Sequence, residues 1–357
     1  MRSEADEKLH DSSTHGSDPD APSRSDLDDD PVYSYKEQRA IIHRIDRRLV
    51  ITLGLMYCMS QIDRANIGNA SIAGMNDDLA LNVGYRLSIV VLVFSPTYII
   101  FQPPATVLTR KLGPRKFLGT IMLLWGATEI GFGFVKKWTD MLGLRLVLGM
   151  LEAGLYPSSV YLLATWYSRY DVGKRFFGFY VIGTIALALG GILANGLTQM
   201  DGLAALAGWR WIFIMEGTIT CAASFLAYLF LVDFPEKADH SWRFLNKDER
   251  DFIIRRINKD RDDAIVEPFT FGRFLRPALN LEIWIFGLIF FFIITVASSI
   301  SIFLPIILEK KMGFSVAASQ CLIAPPVCRY STSHLTSCSF VASLERISCS
   351  HLLHFDS

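Results

Sequence analysis

The chain has 357 residues, 51% of them hydrophobic, with 35 basic and 35 acidic side chains that cancel formally at neutral pH. Zero net charge gives no ground for nucleic-acid binding, and a positive mean hydropathy with long uncharged runs between charge clusters excludes an ordinary soluble domain. The long apolar runs before residue 310 contain no His, and the six Cys have no metal-ligand spacing, so no haem, zinc or other cofactor is expected.

Taken in chain order, residues 1–45 read as a disordered cytosolic tail. The first thirty are rich in Ser, Asp and Pro and hold neither an apolar core segment nor a small-residue cleavage site. Six runs are then long enough to cross a hydrocarbon core of about 30 Å as helices. They lie near 48–69, 86–108, 115–135, 139–166, 176–198 and 210–233, giving a six-helix bundle over 46–233. Residues 234–279 form a charged linker in which Leu245, Phe252, Ile253 and Ile257 can line one helical face. A seventh span follows at about 280–308 and an eighth starts near Val316, so the fold class is an all-α membrane protein. Lys and Arg concentrate in the N-terminal approach, in the links after the second and fourth spans, and in 234–279. By the positive-inside bias, those segments and the N-terminus are cytoplasmic. Pro96, Pro103 and Pro104 are expected to interrupt the second span, and Trp138, Trp166 and Trp209 to anchor span ends at the interface.

The first span carries the informative charges. The uncharged run from Leu49 to Ile62 has fourteen residues; at about 1.5 Å each it reaches only about 21 Å, too short to cross. The helix must continue through Asp63, Arg64 and Asn66, placing an ion pair where a charge costs about 2.5 to 3.5 kcal/mol. The fourth span adds Arg145 and Glu152, seven residues apart on one face. Together the four charges sum to zero and can line an aqueous cavity. The competing readings are an interfacial ion pair with Arg64 snorkelling to head groups, and a structural network that only sets helix register. Tyr98 on the second span is a further candidate for the same cavity.

At these residues the chain resembles a known family. "IDRANIGNA", "RLVLGMLEAGLYPSSVYLLATWYSRYDVGKR", "MDGLAALAGWRWIFIMEG" and "DFPEKADHSWRFLNKDERDFIIRRINKDRDD" are similar to the anion:cation symporters of the major facilitator superfamily, and most to their fungal allantoate permease branch. The likeness runs from about residue 40 to 327. It implies a multi-pass protein of the plasma membrane that imports a small organic anion such as allantoate or a vitamin carboxylate together with protons. It assigns anion binding to Arg64 and Arg145, with Tyr98 beside them, and proton coupling to Glu152 and Asp63. Which acid carries the proton stays open; Glu152 is favoured by its apolar neighbours.

Two departures accompany the likeness. "TRKLGPRK" has Arg110 where the superfamily usually has Asp. Residues 280–327 supply only the start of a second bundle, and 328–357 read as an aberrant Ser-, Cys- and His-rich tail, so a truncated, non-transporting product of such a transporter is the alternative expectation. An enzyme is not expected, because no intramembrane nucleophile can be matched with a base. The expected partners are the anion, protons and the lipid bilayer, with no nucleic acid and no obligate protein partner.

Overall fold

The computed structural model describes residues 33–235, 244–261 and 279–322. The predicted tail over 1–32, the linker segments 236–243 and 262–278, and the whole of 323–357 lie outside the described residues. The chain falls into two units, Met1–Ala40 and Ile41–Ser357. In the first, the Ser34 N–H donates to the Glu37 carboxylate at 2.8 Å, which opens helix α1 in the manner of a capping box.

Every described element is helical. α1 spans Tyr35–Ala70, α2 Arg86–Leu112, α3 Pro114–Phe132, α4 Trp138–Glu152, α5 Leu155–Trp166, α6 Arg169–Thr198 and α7 Gly208–Phe230. After these come α8 at Lys247–Arg261, α9 at Leu281–Lys310 and α10 at Val316–Cys321. The predicted spans coincide with helices to within a few residues, the fourth with two of them, and among the described residues three stretches are long and apolar enough by themselves to cross a membrane: Arg86–Leu112, Trp138–Trp166 and Gly208–Phe230.

The solvent preference is inverted. Leu92, Ile99, Ile100, Phe225 and Leu229 are all more than half exposed, whereas Asp63, Asn66, Glu129, Arg145, Glu152 and Glu216 are buried. Such a surface suits lipid, and the polar groups face inward where partners are available. The chain is an integral membrane protein.

Three local features depart from the expectations. α1 starts at Tyr35, inside the segment assigned to the tail, because Ile41, Ile45, Leu49 and Leu53 repeat every four residues and are all buried. α2 runs unbroken through its three prolines. The hydroxyls of Thr97, Thr106 and Thr109 donate to carbonyls one turn back, adding donors to a helix that lacks three N–H groups. The break falls instead in the fourth span, between Glu152 and Leu155, where Pro157 cannot donate to the Ala153 carbonyl. Trp166 and Trp209 are buried rather than interfacial; their indole N–H groups donate to the Asp233 carbonyl at 3.1 Å and to the Asp78 carboxylate at 2.7 Å. Trp138 is half-buried under Arg86.

The α3–α7 pair packs most extensively. A Cβ on Gly217 would lie 2.7 Å from the Ile130 nitrogen and 2.8 Å from the Gly126 oxygen, so the two backbones touch. Arg210 of α7 closes the end of α3 by donating to the carbonyls of Gly133 at 2.9 Å and Val135 at 2.7 Å.

At the opposite end of the bundle, α8 buries Ile253 and Ile257 while Phe252 is half-buried. Arg44 pairs with Glu249 at 3.1 Å and Arg256 with Asp171 at 3.3 Å; Arg175 joins Asp171 to Asp46. Partial burial works to raise the Asp171 carboxyl, but Arg175 and Arg256 outweigh it and hold it below the usual aspartate value.

Two outcomes follow. Gly217→Val should lower stability by about 1–3 kcal/mol, since the atoms it meets are backbone, and thermal unfolding in detergent measures this. A depressed carboxyl contributes stability above its unfolded value and loses it as pH falls through the folded one, so α8 docking should hold at neutral pH and loosen below about pH 4. Hydrogen exchange across Lys247–Arg261 measures it; Asp171→Asn should be loose already at neutral pH and lose the acid response.

Candidate functional site

The break in the fourth span leaves Glu152 as the last residue of α4, facing α1. Its Oε1 accepts from Arg64 Nε at 2.8 Å and from the Ser60 hydroxyl, one turn earlier on α1. Glu152 is 1% exposed, but the Arg64 side chain is 34% exposed. The acid is therefore enclosed, while the side chain of the cation that holds it is partly exposed.

Aromatic rings from α2 support that cation. The Arg64 guanidinium lies 4.7 Å from the centre of the Tyr98 ring and 5.5 Å from that of Phe94, and the two rings stack 5.5 Å apart. Gly149 on α4 permits the approach of α2 here, since a Cβ would lie 2.8 Å from the Phe94 carbonyl oxygen. Two turns back along α1, Tyr57 stacks on Phe179 at 4.7 Å and leans on Tyr156 at 5.9 Å, extending an aromatic wall.

Asp63 turns the other way. It is 2% exposed and its Oδ2 accepts from the Trp125 indole N–H of α3 at 2.6 Å. The consecutive residues of the ion pair thus serve different contacts, because neighbours on a helix diverge by about 100°. Arg145 is buried, with its guanidinium 5.1 Å from the Phe132 ring centre and Glu129, Glu152 and Asp63 as charged neighbours. Its Nε and Nη2 have no hydrogen-bond partner among the described residues.

The structure therefore brings Asp63, Arg64, Tyr98, Arg145 and Glu152 into one region, but pairs them differently from their order in the sequence. Glu152 meets Arg64 of another helix, not Arg145 of its own. The set is also larger than four. Glu129 of α3 and Glu216 of α7 are buried in the same region, and the Asn66 amide donates to Glu216. Each is the only charged residue in its apolar run, over 118–135 and 211–232. The cost of burying a charge, which singles out Asp63, marks both of them in the sequence as well. Six charges, four acidic and two basic, replace the balanced set. Among the described residues no group of His, Cys, Asp and Glu could hold a metal ion.

Residues 53–329 match the model of the Major Facilitator Superfamily. An uncharacterized transporter of Schizosaccharomyces pombe is 31% identical over 297 residues, covering 83% of this chain and 61% of that protein. The high-affinity nicotinic acid transporter of Saccharomyces cerevisiae is 29% identical over 301 residues, covering 84% and 55%. The chain spans about 60% of the length of curated relatives that it matches. A bacterial homologue of the human lysosomal transporter Spinster, solved inward-facing and unoccupied, superposes with a TM-score of 0.59 over 83% of this chain and 60% of its own, at 14% identity, a likeness of fold.

Trp125→Phe keeps the ring but strands the buried Asp63 carboxylate. It should cost about 1–3 kcal/mol, and adding Asp63→Asn should recover part of that; thermal unfolding of the single and double variants checks both.

Proposed function

Because the chain belongs to the Major Facilitator Superfamily, we propose that it imports a small organic anion together with protons by alternating access. The supporting observation is Arg64: one-third exposed, laid over Tyr98, and tied from behind by an enclosed carboxylate at 2.8 Å. While Glu152 is ionised, it occupies the cation. When Glu152 takes up a proton, the attraction falls and the guanidinium is free to hold an incoming carboxylate, ideally through two parallel hydrogen bonds. Proton and anion then favour each other's binding, which is the linkage that symport requires. Tyr98 and Phe94 form the floor beneath the anion. Arg145, enclosed in this conformation, balances the acids around it, and Asp63 fixes the end of α1 through Trp125.

Within the superfamily we place the chain among the anion:cation symporters, near the allantoate permease branch. The similarity to a protein named as a nicotinic acid transporter supports a carboxylate as substrate. In this reading the protein lies in the plasma membrane with its N-terminus and the α8 linker cytoplasmic, as the distribution of Lys and Arg favours. The site would sit between this bundle and a second one, so that rocking of the two exposes it to each side in turn.

The test compares substrate counterflow with pH-driven uptake in proteoliposomes, using the full-length protein and a panel of carboxylates that includes nicotinate. Arg64→Ala should lose anion binding by about 10- to 100-fold, the loss of a charge-assisted hydrogen bond, and Arg64→Lys should recover little because it cannot form the planar two-point contact. Glu152→Gln should keep counterflow and lose the response to a proton gradient. Wild-type behaviour of all three variants in both assays would refute the site.

A further inference from the structure

Glu129 and Glu216 have no part in the cycle above, yet they are 0% and 2% exposed. They lie beside the point where the backbones of α3 and α7 touch: Gly217 follows Glu216, and Gly126 is one turn before Glu129. No hydrogen bond of ordinary geometry reaches either Glu129 oxygen or Oε1 of Glu216 among the described residues; the single Asn66 amide lies between the two acids, which are electrostatic neighbours.

The surroundings hold too many acceptors. Asn66, 0% exposed, gives its amide N–H to Glu216 and leaves its own Oδ1 unpartnered beside it. Asp63 also has one unpartnered oxygen, and the Trp125 N–H is already used. The charges are equally uneven. Among the elements packed around the two acids, α1 brings Asp63 and Arg64, and α4 brings Arg145 and Glu152. Arg64 is taken by Glu152, which leaves Asp63 and Glu129 facing Arg145, and leaves Glu216 with only the acids Asp63 and Glu129 as charged neighbours. Arg210 of α7 is committed to the α3 carbonyls. α2 carries charge only at Arg86, Arg110 and Lys111, α5 contributes only Tyr156 and Tyr161, and the described charges of α6, Asp171 and Arg175 among them, lie in its first two turns.

Two ionised carboxylates enclosed this way would repel each other in surroundings that screen charge poorly. A proton cures both defects, because it removes one negative charge and supplies the missing donor. We propose that Glu129 and Glu216 share one proton in an enclosed site at the α3–α7 interface, separate from Glu152 and joined to it through Arg145. The inference deepens the proton-coupled reading and rests on it for its functional meaning: Arg145, facing both Glu129 and Glu152, carries the state of one acid to the other.

Difference infrared spectroscopy of the full-length protein in lipid tests the site without transport. At neutral pH in potassium buffer, the protonated-carboxyl C=O band should be present and should shift in D2O. Glu129→Gln or Glu216→Gln alone should each remove it, since the remaining acid then has an amide donor and one like charge fewer beside it. Glu152→Gln should leave it in place and serves as the control for a folded, substituted protein. Thermal unfolding identifies any variant that fails to fold, and Glu129→Asp, which keeps the acid, should then retain the band. A band unchanged by either Gln substitution overturns the proposal, as does a band that sodium ions abolish, which would make the site a cation site. Uptake indifferent to pH with the band intact would sink the coupled reading and leave the proton site standing.

Discussion

The contact on which the rest of this structure depends is the one between Arg64 and Glu152. Neither charge could remain alone at this depth, and each helix that carries one is thereby bound to the other. The position of the acid follows from a backbone event: the fourth span breaks after Glu152, at Pro157 and Gly154, and the end of α4 meets α1 there. The cation is held at two sides, by the carboxylate and by the rings of α2, so its third side is left open. The proposed anion site calls for such a group, restrained in position yet not saturated.

Around this contact the protein is organised opposite to a water-soluble bundle. Large apolar side chains cover the outside and the polar groups converge inside, because the bilayer offers no hydrogen bonds. With little hydrophobic drive between helices in lipid, close packing must come from small residues. Gly126 and Gly217 in α3 and α7, and Gly149 against α2, supply it. These close approaches also shut the acids away from water, so packing and electrostatics in this bundle are set by the same residues.

The two ends of the bundle are secured by different means. At one end, Trp209, Asp78 and Arg210 close helix termini with neutral and charge-assisted hydrogen bonds. At the other, α8 is docked by apolar side chains and by the ion pairs through Asp46, Asp171, Arg175 and Arg256, which are partly exposed and open to solvent conditions. The second end is the more adjustable, since screening and protonation weaken exposed pairs far more than buried ones.

Much of this was legible in the chain alone. Spans appear as apolar runs because lipid demands length and apolarity, properties a sequence states directly, and the cost of burying charge singled out Asp63, Arg64, Arg145 and Glu152. The same cost falls on Glu129 and Glu216, which stand alone in their apolar runs with no basic residue in the run to mark them as part of a pair. What the sequence could not decide was which charge meets which. Asp63 and Arg64 are adjacent yet point to α3 and α4, and Arg145 shares a helix with Glu152 yet yields it to Arg64. Pairing in a bundle depends on the rotation of each helix about its own axis and on where a proline breaks it, and both are set by the packing of several helices at once, which only the tertiary structure supplies.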